Sequence, residues 1–474
     1  MKELSPNSGA QDKRPFVVYG HKTPDMLVCF LACVKSGHPY VPVDTAFPQS
    51  RITSIVAQLK NPVIFNTTNE DLAFLEESAQ SVISKSTIER LCLSVEEAIS
   101  TLPGLSQQDI FYILFTSGST GEPKGVEITA ECVDNFLEWM APEFAKPGPQ
   151  TYFNRAPFSF DLSVTDLVLG LGTGGTLFTL VEEDENDLAR TFASLSKANI
   201  SFWISTPSFI EMCLRDPAFS RELLPHTHTF FFVGEVLKNE TAALILDRFP
   251  EAAVINGYGP TEATVLVSAV QITPEMISAN IPLPVGTAKP ETVLKVLDPE
   301  TLEEMPFNEP GELYIIGNTV GKGYYQNEEL TKAAFRSCPA RYTQGMRSYK
   351  TGDKAYLDPT GMLHFQGRMD LQIKLHGYRI ELEDIEANFR LLDSVVDVCV
   401  LPVMRKGSLS HLAAYIVPSA AAGEPGFALS QRIKAELKGL LPEYMIPRKL
   451  DYLEAFPLNV NGKIDRAQLK GIIE

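Results

Sequence analysis

The chain has no long hydrophobic run. Its longest unbroken apolar stretch is Met26–Val34, too short to cross a bilayer. Leu167–Val181 is uncharged, but Gly170, Gly172, Gly174 and Gly175 interrupt it, which excludes a membrane span and membrane insertion. The start, MKELSPNSGAQDKRPF, has no apolar core of a signal peptide. There is no HExxH, and the 7 histidines are scattered, so no metal cage of the usual spacing is indicated. There is no CxxC, and the 7 cysteines are odd in number, several in apolar runs. That pattern fits buried thiols in a reducing, cytoplasmic setting rather than a disulfide framework. Positive charge is scarce: 41 Lys and Arg stand against 59 Asp and Glu, a net charge of −18. A broad electrostatic grip on nucleic acid or anionic membrane is excluded. No repeat of fixed period and no low-complexity tract is present.

What is there is the composition of a folded protein. Hydrophobic residues are 44% and charged residues 21% of the 474, which excludes a mainly disordered chain, a collagen and a coiled coil. At roughly 150 residues per domain the length suggests about three structural units, and such a chain buries about three quarters of its extended surface without covalent staples. The acid is uneven. Residues 369–474 hold 13 Lys and Arg against 14 Asp and Glu, a net −1, and residues 1–368 carry −17. Solubility of the body accounts for most of this.

Short β-rich runs alternate with helical patterns, the mark of parallel sheets with crossover helices. The spacing predicts a helix over Pro24–Lys35 with Met26, Leu27, Phe30, Leu31 and Val34 on one face. Strands are expected at Ile110–Thr116, Ser201–Ser205, Thr229–Val233, Ala252–Asn256, Val265–Ile272 and Gly311–Gly317. After a boundary near Arg368–Asp370, which the family resemblance described below helps to place, the character changes. Val395–Val403 and Leu412–Val417 form a strand pair across a polar turn at Gly407, Ala428–Leu440 an amphipathic helix, and Arg448–Leu453 a strand. The fold class is α/β: a large N-terminal domain (1–368) of parallel or mixed sheets with helices, then a small α+β C-terminal domain (369–474).

Four segments carry the types of residue that do chemistry. TSGSTGEPKG (Thr116–Gly125) puts three glycines, four hydroxyls and Lys124 directly after an apolar strand. Consecutive N–H groups and hydroxyls make an anion nest, and glycine lets the backbone approach a ligand. The lysine precedes its glycine, so this is not a Walker A loop; alone it serves equally as a flexible turn. NGYGPTE (Asn256–Glu262) is a tight turn in which Tyr258 can stack on a base and Thr261 with Glu262 can hold Mg²⁺; alone it reads as a turn before a helix start. In YKTGD (Tyr349–Asp353) the carboxylate can accept ribose hydroxyls, or simply sit on a surface turn. NGKIDR (Asn461–Arg466) puts Lys463 at a turn tip, where most lysines are merely solvated.

Their order, together with FDLS (Phe160–Ser163), GELYIIG (Gly311–Gly317) and GRMDLQIKLHGYRIELEDIE (Gly367–Glu386), resembles the adenylate-forming superfamily of acyl-CoA synthetases, luciferases and peptide-synthetase adenylation domains. The resemblance runs from about Val17 to Arg466. Within it, STPSFIEMCL (Ser205–Leu214), GYGPTEATV (Gly257–Val265), HGYRIELEDIE (His376–Glu386) and LPEYMIPRKL (Leu441–Leu450) look like the D-alanine–D-alanyl carrier protein ligases. That resemblance implies ATP as substrate with Mg²⁺, a small amino acid, and a phosphopantetheinylated D-alanyl carrier protein as partner. It also implies a role in lipoteichoic acid D-alanylation.

The resemblance assigns roles by position. Thr116 and Ser117 fall where the family's loop contacts phosphate. Asn256, Gly257, Tyr258, Gly259, Pro260 and Thr261 line adenine and the α-phosphate, and Glu262 is the metal partner. Asp353 and Arg368 fall at the ribose positions, with Phe365, Gln366 and Gly367 beside them. Asp161 answers the substrate ammonium, and Val265 lines the same pocket. Lys463 matches the catalytic lysine of the family's small domain, touching both ATP and substrate, and Asp370 the hinge. Two features depart from the pattern: the stretch before Phe16 is shorter than in the family by a few tens of residues, and Val233 occupies a pocket position that varies. Two other functions stay open at this point: activation of another small amino acid, and a nucleotide-binding regulator without turnover. A regulator would have no use for Lys463.

Overall fold

The computed structural model describes residues 13–75, 77–93, 104–118, 121–185, 187–279, 281–405, 408–420, 422–424, 426–457 and 464–473. Lys463 and the expected turn at Gly407 lie outside the described residues. Two compact units divide the chain. One comprises Met1–Asp44, Leu59–Phe115 and Gly125–Met369; the other comprises Thr45–Gln58, Thr116–Lys124 and Asp370–Glu474. The C-terminal residues therefore share their unit with a helix (Gln49–Gln58) and with the Gly-rich loop, neither of which the boundary at residue 368 anticipates.

The first unit is built on three sheets. One has seven strands in the order Gly323–Tyr324, Lys124–Thr129, Ile110–Thr116, Tyr40–Val43, Phe16–Tyr19, Val63–Asn66, Ser81–Ile83. The second runs Thr287–Ala288, Ser268–Gln271, Ala253–Tyr258, Thr229–Phe232, Phe202–Ser205, Thr151–Asn154, Thr176–Thr179. It is parallel except at its antiparallel edge, where Ser268–Gln271 joins. The third, Thr292–Leu297, Gly311–Gly317, Ser348–Leu357 and Leu363–Arg368, is antiparallel. The strand Thr229–Phe232 shows why such runs are continuously apolar. Phe231 belongs to a core that all three sheets contribute to, while Phe230 and Phe232 face a second core with Trp203 and Val254. A strand buried on both faces has no polar side to alternate with.

The helix Pro24–Lys35 forms as the spacing predicts, opened by a proline at its first position. Its buried face is Met26, Cys29, Phe30 and Cys33, however, and Leu31 is 49% exposed. The two cysteines act as small hydrophobes there. The strand expected to end at Asn256 continues to Tyr258, because Gly257 and Tyr258 keep pairing with Ala269 and Ser268. The strand expected from Val265 starts only at Ser268, since Thr264 and Val265 adopt φ of 60° and 68°. YKTGD is no surface turn: it lies inside the strand Ser348–Leu357.

In the second unit Val395–Arg405 and Ser408–Pro418 pair antiparallel, and Lys449–Tyr452 joins parallel. Alternate residues of this small sheet face opposite ways. Val398, Val400, Ala414 and Ile416 pack with Leu429, Ile433 and Leu437 of the helix Phe427–Leu437. Cys399, Leu401, Ala413 and Tyr415 pack with Leu469. Among the described residues no helix is long and apolar enough to cross a membrane. Cys29, Cys33, Cys132, Cys213 and Cys399 are buried free thiols.

Candidate active site

The strand Ala253–Tyr258 lies where its sheet changes from parallel to antiparallel neighbours, and Asn256–Tyr258 stands at its carboxyl end, where open α/β sheets hold ligands. Asn256 is buried; its amide donates to Pro284 O at 2.8 Å, and its Oδ1 has no donor among the described residues. A buried acceptor in that state suits an amino group. The Tyr258 hydroxyl donates to Asp353 Oδ2. Burial and the Asp353 charge push the phenol well above its ordinary value, so it remains a donor. The other Asp353 oxygen accepts from Arg368 Nη1 at 2.8 Å, and the same nitrogen donates to Thr351 O at 2.7 Å. Asp353 and Arg368 face each other in register on neighbouring strands. The Phe365 ring lies 6.0 Å from that of Tyr258. Gln366 is exposed, and Gly367 has φ of 119°. This is an ordered acidic acceptor beside two aromatic rings, able to receive vicinal hydroxyls and a base.

Beyond Tyr258 the chain makes a 3₁₀ turn, Thr261–Ala263, then the two left-handed residues Thr264 and Val265. Leu266 N–H donates to Thr264 O at 2.7 Å, closing a three-residue turn around Val265. Left-handed backbone at a β-branched residue is strained, at about 1–3 kcal/mol each. The Thr264 hydroxyl donates to Thr319 O at 2.7 Å and holds the turn. Gly259 is required because a Cβ there would lie 2.4 Å from Val265 O. Val265 and Val233 are both buried. Asp161, just before the helix Leu162–Gly172, accepts from the Thr261 hydroxyl at 2.6 Å across 100 positions of sequence. Glu262 is fully buried and accepts from the Tyr324 hydroxyl at 2.8 Å.

The first unit therefore assembles Asp161, Asn256–Glu262, Val265, Asp353, Phe365 and Arg368. Thr116 and Ser117 belong to the second unit. There Ser117 Oγ donates to Arg379 O at 3.1 Å and accepts from Glu381 N–H at 3.3 Å. Lys124 pairs with Glu381 at 3.3 Å, and Gln372 donates to the same carboxylate oxygen at 2.6 Å. A Cβ on Gly118 would meet Glu122 O at 2.2 Å, so only glycine lets the loop fold back there. Next to it Arg51 and Asp384 are both buried, 3.9 Å apart, and among the described residues Arg51 Nε and Asp384 Oδ2 have no hydrogen-bond partner. Met369 N–H donates to Gly352 O at 2.9 Å, and the Asp370 carboxylate accepts from Gln372 N–H at 3.1 Å. Thr319 and Tyr324 lie outside every quoted motif, and Thr264, Thr351 and Glu381 stand inside motifs that give them no role, since each acts on a residue distant in sequence.

The AMP-binding enzyme family model matches residues 4–325, and the AMP-binding enzyme C-terminal domain model matches 384–463. The chain belongs to the AMP-binding enzyme family. It is 42% identical to the D-alanine–D-alanyl carrier protein ligase of Bacillus licheniformis over 97% of this chain and 89% of that protein. It is also 42% identical to the ligase of that name from Listeria innocua, over 96% and 88%. A solved NRPS protein containing adenylation and PCP domains matches at TM-score 0.78 and 26% identity, covering 100% of this chain and 89% of that one. The o-succinylbenzoate CoA synthetase of Bacillus subtilis matches at TM-score 0.83, covering 99% and 90%; at 18% identity it speaks for the fold alone. Within the family match, Asp161, Asn256–Glu262 and Val265 lie inside the first matched segment and Lys463 at the end of the second. Asp353, Arg368 and Asp370 fall between the two.

Proposed function

We propose that this AMP-binding enzyme is a D-alanine–D-alanyl carrier protein ligase: it activates D-alanine with ATP and passes the acyl group to the phosphopantetheine thiol of a carrier protein. The product would feed D-alanylation of lipoteichoic acid. The observation that carries the amino acid assignment is Asp161, a half-buried carboxylate held by Thr261 immediately before Glu262. A carboxylate at that place attracts an ammonium; a simple fatty or aryl acid brings none. We place the reaction in the cytoplasm, where free thiols persist.

In the first step a carboxylate oxygen of the amino acid attacks the α-phosphorus of ATP in line. The bond to pyrophosphate breaks, and pyrophosphate leaves. Asp161 orients the ammonium, Asn256 and Tyr258 the base, and Asp353 with Arg368 the ribose. Thr116 and Ser117 serve the phosphates, Ser117 by turning its hydroxyl from Arg379 O. Val265 and Val233 wall a space for a small side chain. In the second step the carrier thiol attacks the acyl-adenylate carbonyl carbon, the mixed-anhydride C–O bond breaks and AMP leaves. Lys463 serves the first step as a donor to the phosphate and substrate oxygens, and Asp370 is the hinge that lets residues 370–474 serve both steps. Glu262 suits Mg²⁺. It is a single buried carboxylate, and among the described residues no group of three His, Cys, Asp or Glu gathers as a cage. Magnesium held largely by nucleotide phosphates asks for no more from the protein, and when bound it offsets charge on the phosphate oxygens.

ATP–pyrophosphate exchange across a panel of D- and L-amino acids tests the assignment. D-alanine should give the highest kcat/KM, followed by glycine and other small amino acids, with modest steps because one methyl is worth about 1–3 kcal/mol. Preference for a large or aromatic amino acid removes the D-alanine assignment. Lys463→Ala should lower adenylate formation about 10²–10³-fold, the usual effect of deleting one preorganised donor, while ATP still binds. A normal burst of aminoacyl-adenylate in that variant ends the role.

A further inference from the structure

Glu262 is gripped from one short segment, by Gly321 and by Tyr324, the latter 62 residues downstream. Gly321 N–H donates to the Glu262 backbone oxygen at 2.8 Å, and the Tyr324 hydroxyl donates to its side-chain Oε1 at 2.8 Å. The same segment takes the hydroxyl of Thr264 on Thr319 O. Tyr324 is itself immobilised. Its N–H donates to Thr331 Oγ1 at 2.9 Å, and its strand Gly323–Tyr324 pairs with Val126 and Glu127. Its ring meets Phe335 edge-on at 5.3 Å, and Phe335 rests on Tyr349 at 5.0 Å. Glu262 is fully buried and Tyr324 6% exposed. The terminal torsion of a glutamate is broad. A fixed phenol donating to one oxygen of a buried carboxylate selects one orientation of the whole group, through a charge-assisted bond.

We propose that Tyr324 is a positioning residue for adenylation, holding the Glu262 carboxylate in the orientation in which it takes the divalent cation of the nucleotide. The inference rests on the reading of Glu262 as the metal partner. Carboxylates that ligate metals are themselves held by hydrogen bonds, and removing the holding group typically costs about 10–100-fold in metal affinity or activity.

The test is Mn²⁺ binding followed by electron paramagnetic resonance, in the presence of saturating α,β-methylene-ATP, for the wild type, Glu262→Gln, Tyr324→Phe and Tyr324→Leu. Both tyrosine variants remove the donor, so the inference stays testable if one of them fails to fold. The expected result is Mn²⁺ affinity about 10–100-fold weaker in the folded tyrosine variants, with pyrophosphate exchange recovering toward the wild-type rate as Mg²⁺ is raised. A purely structural hydroxyl would lower the melting temperature yet leave Mn²⁺ affinity within twofold of wild type, and that result overturns the inference. If Glu262→Gln also binds Mn²⁺ like the wild type, the metal reading of Glu262 itself is wrong. If Glu262→Gln loses the ion and the folded tyrosine variants do not, only the positioning role fails.

Discussion

On the proposed function, two carboxylates divide the site between its ligands. Asp353 receives Tyr258 and Arg368, and Asp161 receives Thr261. Substituting each by asparagine separates the two functions. Asp353→Asn puts an amide donor against donors already present and leaves Arg368 without its counter-charge. It should weaken ATP binding and also lower global stability by about 3 kcal/mol, as breaking a buried pair does. Asp161→Asn should leave ATP affinity nearly unchanged and weaken amino acid affinity by roughly 1.5–3 kcal/mol, the worth of a hydrogen bond to a charged group. Separate calorimetric titrations of each ligand decide the matter. Equal losses for both ligands in Asp161→Asn would make the FDLS loop a scaffold rather than an ammonium site.

At the scale of elements, the turn through Thr264 and Val265 trades backbone strain for the burial of Val265, which the proposed function makes a pocket wall. Val265 and Val267 are 2% and 0% exposed, and only Val265 has positive φ. Glycine at 265 loses the buried side chain but relieves the strain; glycine at 267 only loses. Val267→Gly should therefore be more destabilising than Val265→Gly by about 1–3 kcal/mol in urea unfolding. Equal costs would mean the turn is unstrained. The helix Leu382–Phe389 carries a second device. Burial pushes the Asp384 carboxyl up to about 7, with Glu381 and Glu122 adding to the rise and Arg51 and Lys124 opposing it. Between about pH 4, the ordinary aspartate range, and 7 the folded chain keeps a proton that the unfolded chain has released, so this group's stabilisation is lost as pH rises through 7. The melting temperature of Asp384→Asn relative to wild type should accordingly climb from pH 5 to pH 8. A difference that stays flat with pH would rule this out. Much at this scale is legible from pattern. The strands Ile110–Thr116 and Gly311–Gly317 and the helix Pro24–Lys35 stand where periodicity puts them. The late start of Ser268–Gln271 was not, because nothing in the letters Thr-Val announces left-handed backbone.

At the scale of the whole molecule, charge is the quantity to follow. The body carries −17, yet the small sheet gathers cations. Arg405, Arg448 and Lys449 are exposed, and all three act on His411, whose imidazole is lowered below the ordinary value first by partial burial and then by these charges. Val403 pairs with His411 and Ala413 with Lys449, so two basic positions more than forty residues apart reach one end of the sheet. Lys449 is already partnered by Asp451 at 2.6 Å, leaving the arginines as the stronger candidates; Lys406 lies outside the described residues. An acidic carrier protein would be steered there, chiefly in its encounter rate. Arg405→Glu with Arg448→Glu should raise the apparent KM for carrier in thiolation at low salt and leave pyrophosphate exchange unchanged. Screening over about 10 Å at 0.1 M salt should erase the difference. Thiolation insensitive to both changes would send the carrier elsewhere.

The sequence alone determined the succession of motifs, the class of fold and the family to which the chain belongs. Each of these depends on residues within one turn or strand: a Gly- and hydroxyl-rich loop, a Pro-Thr-Glu turn, a Thr-Gly-Asp run. What only the tertiary structure decided is which of those residues work on each other. Thr261 reaches Asp161 across 100 positions, Tyr258 reaches Asp353 across 95, and Tyr324 reaches Glu262 across 62. The Gly-rich loop, assigned by its letters to phosphate, has Lys124 on Glu381, 257 positions away. Local pattern records the hydrophobicity and backbone freedom of neighbours in the chain. A hydrogen bond between distant side chains depends on sheet order and register, which arise only when the buried faces of many elements are satisfied together.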